Sequence, residues 1–325
     1  MSPDPLPDSH SPEPTEQPAP SFDSRMQNVW LGPNGIRAGW RVLIAVVLFL
    51  VFATVLALVL VRIPAVRALL PRRGGPIVFT PAMLFVLEGI PLAAALLAAL
   101  VMTQIEKRSF ADYGLPGHQA FGRRYWQGLL YGFLMVTLMM GLLVALHGFS
   151  LNGFALAGLL ALRYGLLYFI GFMLVGFFEE FSFRGYLQAT LASGIGFWPA
   201  ALLLAILFGA LHLNNPGEAR LGGLAAAGFG LFMVFTLRRT GSIWFAIGAH
   251  CAWDWGETFF YSVPDSGVLA TGHLMNSSFH GPVWLTGGSV GPEGSVFVFV
   301  VLALAALGVH FIFPANPYAA APASA

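Results

Sequence analysis

Two adjacent glutamates, Glu179 and Glu180, close the apolar run G-F-M-L-V-G-F-F-E-E-F-S-F-R-G-Y, which otherwise reads as a membrane span. A charged side chain at bilayer depth costs roughly 3 kcal/mol or more, so such residues face the protein interior and mark function by default. Arg184 lies four residues past Glu180, on the same helical face, where the two can pair. Glu179 is turned about 100° from Glu180. One carboxylate is then neutralised while the other stays free to act as a general base. The competing reading is an interior ion-pair cluster that only holds helices together.

Further along, His212 closes L-F-G-A-L-H, and His250, Asp254 and Glu257 recur in H-C-A-W-D-W-G-E. Spacings of i, i+4 and i+7 put the last three on one face of a helix. Three ionisable groups on one stripe belong toward the bundle interior or a wet cavity. Glu257 is nearest the span end and reads as interfacial, where charge is cheaper. His212 by itself reads as an interfacial histidine bonded to a carbonyl. Cys251 sits in the same stretch and reads as a small core residue.

These residues need membrane helices to hold them. The chain has 325 residues, 57% hydrophobic and 10% charged, with a mean hydropathy of +0.75. Soluble domains carry about 25% charged residues, so the composition fits an all-α polytopic membrane bundle. A net charge of +1 gives no electrostatic case for nucleic acid. A single cysteine excludes an intrachain disulfide or a multi-thiolate zinc site.

Apolar stretches of about 20 residues give eight expected spans: Val42–Val61, Ile77–Met102, Gly128–Leu146, Leu156–Phe178, Phe197–Leu213, Leu221–Leu237, Ile243–Phe260 and Val296–Phe313. The second is interrupted by Pro81, Glu88 and Pro91. Residues 1–38, rich in Pro, Ser, Asp and Glu with no apolar core, read as a disordered tail, not a signal peptide. Residues 39–313 form one membrane domain, 314–325 a short tail, and 261–295 a long Gly/Pro/Ser loop. Ten basic residues fall on one side of this zigzag and six on the other, which predicts both termini in the cytoplasm. The basic, aromatic 104–126 segment is then a positive-inside loop.

E-E-x-x-x-R at Glu179, Glu180 and Arg184, F-x-x-x-H at Phe208 and His212, and H-x-x-x-D at His250 and Asp254 together resemble the CPBP family. These are the CAAX-protease and bacteriocin-processing intramembrane proteases, also called Abi. G-E-T-F-F-Y-S-V-P-D-S-G and L-T-G-G-S-V-G-P-E-G-S also look like bacterial members, so the core of the resemblance covers about residues 170–300. It implies an eight-helix bundle in a bacterial inner membrane that hydrolyses a peptide bond of a membrane-associated peptide or protein. By the same resemblance, Glu179 and His212 activate water, Glu180 and Arg184 support the site, and His250 and Asp254 stabilise the oxyanion. The eukaryotic pattern has Asn where this chain has Asp254. An ionised aspartate cannot donate to an oxyanion, so either Asp254 is protonated or it orients His250.

The family has been described both as metalloproteases and as glutamate proteases. With two histidines and no placed thiolate, the residues favour chemistry without a metal cofactor. Zinc on Glu179, His212 and His250 is the alternative. A non-catalytic binding or immunity protein of the same fold would tolerate Glu179→Gln. An ion-coupled transporter would show pseudo-symmetric halves, and no repeat is visible. A simple zigzag puts Glu179 and His212 at opposite membrane faces, about 30 Å apart. Catalysis therefore requires span four to bend near Gly176 or to continue to about Ser193.

Overall fold

The computed structural model describes residues 29–32, 35–69, 78–215 and 220–313. Two units separate along the chain, 1–37 and 38–325. In the first, Leu31–Gly32 (β1) pairs antiparallel with Gly35–Ile36 (β2). The end of the region read as a tail thus carries a hairpin. Residues 1–28 and the tail at 314–325 lie outside the described residues.

In the second unit each expected span has its helix: α1 Ala38–Leu60, α2 Pro81–Glu106, α3 Arg123–Ala145, α4 Gly158–Glu180, α5 Phe197–His212, α6 Arg220–Thr240, α7 Trp244–Trp255 and α8 Phe297–Ile312. Among the described residues, five helical stretches are long and apolar enough to cross a membrane, and α5 and α8 are shorter apolar helices. α1 is apolar all round yet buries only Ala45, leaving Leu50, Val55 and Leu58 outward. A helix of that kind is at home facing lipid. α7 is its opposite, with every residue from Trp244 to Asp254 buried.

Local signals set the boundaries. α2 starts at Pro81 rather than residue 77, because the Met83 N–H donates to the Thr80 hydroxyl at 3.2 Å and proline suits the first helical turn. α4 does not stop at Phe178. It runs on through a π-helical stretch, Phe181–Leu187, and a further α-helical piece, Gln188–Ile195, until Gly196 at φ 88 ends it.

This continuation settles the depth problem. Glu179 lies 16 residues before Ile195, and His212 lies 15 residues after Phe197. At 1.5 Å per residue these are both about 23 Å from the turn that joins the helices. Packing of α5 back against this continuation therefore brings the two side chains to a similar level.

The 261–295 segment is more ordered than a loop reading implies. Val78–Phe79 (β3) pairs with Leu269–Ala270 (β5), and Phe149–Phe154 (β4) with Met275–Phe279 (β6). These pairings tie together the α1–α2, α3–α4 and α7–α8 connections, three of the four that an eight-span zigzag puts on one side. Across the bundle, Arg41 at the start of α1 pairs with Glu106 at the end of α2 at 2.8 Å, and Tyr186 donates to the same carboxylate at 2.6 Å.

Candidate active site

α4 and α7 approach closely where Gly176 faces the Ile247 carbonyl; a Cβ there would sit 3.0 Å from that oxygen and 3.3 Å from the His250 Cβ. This contact delivers His250 to the glutamate pair. His250 Nδ1 and Glu180 Oε1 are 2.7 Å apart, and Arg184 Nη1 donates to the same oxygen at 3.2 Å. Glu180 is fully buried and Arg184 nearly so, at 2% exposure. The i, i+4 pairing expected from spacing is present, extended by a histidine from another helix.

Arg184 is seated from its other side as well. Its guanidinium lies 4.2 Å from the Phe208 ring centroid, a cation–π contact. A Cβ on Gly230 of α6 would meet Arg184 Nη2 at 2.7 Å, so glycine is what lets the guanidinium pass. The Phe208 ring in turn lies 4.4 Å from that of His212, tilted by 45°, one helical turn along α5.

Glu179, turned away from this pairing, keeps 21% exposure. Its Oε2 lies 3.6 Å from His250 Nε2, and Asp254 Oδ2 lies 3.6 Å from the same nitrogen. Neither distance is a hydrogen bond. His212 Nδ1 lies 2.8 Å from the Phe208 carbonyl oxygen. A carbonyl only accepts, so Nδ1 carries the proton and Nε2 holds a free lone pair.

Glu179, His212, His250, Asp254 and Phe208 line one cavity of about 210 Å³. One water needs only ~10–15 Å³, so there is room for several waters or a peptide segment. Glu180 and Arg184 stand behind its wall. Three further carboxylates reach this cavity: Glu88 of α2, and Asp265 and Glu293 from the α7–α8 connection. Glu88 was visible in the sequence only as an interruption of the second span, although any carboxylate at that depth is a functional signal. Asp265 and Glu293 sit in a Gly/Pro/Ser-rich segment that gives no depth signal.

Glu257 requires a correction. It is not interfacial but fully buried, because α7 passes into a π-helical turn, Gly256–Tyr261, that keeps it inside the bundle. Glu257, Asp265 and Glu293 each bring a carboxylate oxygen within 4.8 Å of the others. Among the described residues this is the one group of three or more potential ligands so gathered, and Glu179, His212 and His250 do not form another. Burial first, and the Glu293 charge second, push the Asp265 carboxyl well above the usual carboxylate range. Cys251 is buried as a core residue.

Carboxylates and imidazoles from several helices of the bundle thus converge on one interior cavity. Residues 162–256 match the family model described as type II CAAX prenyl endopeptidase Rce1-like. This segment contains all three motifs and is similar to that family. No curated protein and no solved structure matches the chain.

Proposed function

We propose that the protein is an intramembrane endopeptidase that hydrolyses a peptide bond of a membrane-associated peptide or protein. Glu179 is the general base. A water between its carboxylate and the scissile carbonyl gives up a proton to Glu179 as its oxygen bonds to the carbonyl carbon. His212 Nε2 accepts from the same water and aims its lone pair. The proton held by Glu179 then passes to the leaving amine as the C–N bond breaks.

The negative charge on the carbonyl oxygen needs a donor placed before the reaction begins. His250 supplies it from Nε2. Because Nδ1 is engaged with Glu180, Nε2 can donate only when the ring is doubly protonated. Glu180 and Asp254 flank that ring and match its charge, so Asp254 acts as a positioning residue. Arg184 holds Glu180 in place. Every proton in this scheme moves between water, side chains and the leaving amine.

The observation that carries this reading is the 2.7 Å contact between His250 Nδ1 and Glu180 Oε1. It joins the first and third motifs and fixes Nε2 toward Glu179. The arginine and lysine distribution supports cytoplasmic termini. Cleavage of a library of prenylated and leader peptides by purified protein in detergent tests the activity. Wild type cleaves at least one class, and Glu179→Gln cleaves none at a comparable rate. Equal cleavage by both would remove Glu179 from the mechanism.

A further inference from the structure

Two sequence segments remain without a role in this scheme, G-E-T-F-F-Y-S-V-P-D-S-G and G-P-E-G-S. Apart from Gly256, both lie beyond the matched residues 162–256. The first supplies Glu257 and Asp265, the second Glu293, and their carboxylate oxygens converge within 4.8 Å. Asp265 and Glu293 are partly satisfied. The Thr258 hydroxyl donates to Asp265 at 3.1 Å, the Ser266 hydroxyl to Glu293 at 2.7 Å, and Trp253 Nε1 to Glu293 at 3.3 Å.

Glu257 is different. It has no solvent exposure, and neither of its carboxylate oxygens has a hydrogen-bond partner. Among the described residues no arginine or lysine forms an ion pair with any of the three. A buried charge persists when it is paired or coordinates a metal, and here no protein cation is supplied.

We infer that Glu257, Asp265 and Glu293 form a binding site for a hard divalent cation, calcium or magnesium, separate from the Glu179–His212 centre. The donor set is all oxygen, with the Ser266 and Thr258 hydroxyls beside it, which suits these ions rather than zinc. The bound ion pins both ends of the 261–295 connection to the end of α7, beside the cavity that Asp265 and Glu293 line. It satisfies the Glu257 oxygens.

The test is terbium luminescence, with terbium standing in for calcium, on the full-length protein in detergent micelles. Trp253, bonded to Glu293, is the sensitiser. The expected result is a saturable signal with one site per chain, displaced by calcium or magnesium. Glu257→Gln and Asp265→Asn each weaken binding at least tenfold, while Glu179→Gln stays within twofold of wild type. Should the carboxylate variants fail to fold, Trp253→Phe loses most of the luminescence yet keeps one calcium site by calorimetry. Absence of saturable binding of calcium and magnesium, unchanged affinity in Glu257→Gln, or unchanged luminescence in Trp253→Phe would each overturn the inference. Because Glu179→Gln is expected to bind normally, a failed protease assay leaves this result readable.

Discussion

The cavity is bordered by two carboxylate clusters that differ in how their charge is balanced. At Glu179 and Glu180 the chain brings its own cations: Arg184 from the same helix and His250 from α7, both on Glu180. At Glu257, Asp265 and Glu293 the neighbours are hydroxyls, one indole N–H and one backbone N–H. The first cluster draws its counter-charge from the protein alone. One carboxylate is locked and the adjacent one is left facing the cavity, which is how a reactive base is kept beside a fixed frame. The second is incomplete without something from solution. Compensation from within suits chemistry on a substrate, and compensation from outside suits holding a connection in place.

The sharpest separation between the clusters is in catalysis. Glu179→Gln should lower kcat/KM by about 10³-fold or more, ~4 kcal/mol of transition-state stabilisation, read from peptide cleavage rates. The same assay on a folded Glu257→Gln protein with saturating calcium should show a much smaller loss. Comparable losses would merge the two clusters into one site.

The next effect is on stability. Arg184→Met leaves Glu180 buried without its guanidinium, a change that typically costs about 3–5 kcal/mol. Thermal unfolding in detergent should report it, and adding Glu180→Gln should recover much of the loss. No recovery would mean that Arg184 acts by packing on Phe208 alone.

Smaller again is His212→Gln, which removes an aiming base. A loss of about 10²-fold in kcat is expected, at the low end for general acid–base groups. The least is Asp254→Asn, which keeps the side-chain shape beside His250 Nε2. Less than about tenfold is expected, since the positioning role needs only an acceptor and Asn still offers one. A large loss there would move Asp254 into direct contact with the reacting atoms.

Much of the first cluster was legible because helical periodicity is a local rule. Glu180 with Arg184, and His250 with Asp254, follow from four-residue spacing alone. Their meeting across α4 and α7 does not, since it depends on Gly176 letting two backbones approach. The level placement of Glu179 and His212 required α4 to continue past Phe178, an expectation forced by the chemistry rather than by hydropathy. The second cluster was opaque for a related reason. Glu257 was misread because a π-helical turn keeps the chain inside after the apolar run ends. Asp265 and Glu293 are brought together across a connection pinned by β3 and β4, pairings that no spacing in the sequence announces.

The most direct test of the central claim, that Glu179 and His212 act on one water as a unit, is a double-mutant cycle on peptide cleavage. Groups that work together are strongly non-additive. The account predicts that Glu179→Gln with His212→Gln is no slower than Glu179→Gln alone. Losses that simply multiply would show two independent contributions and contradict it.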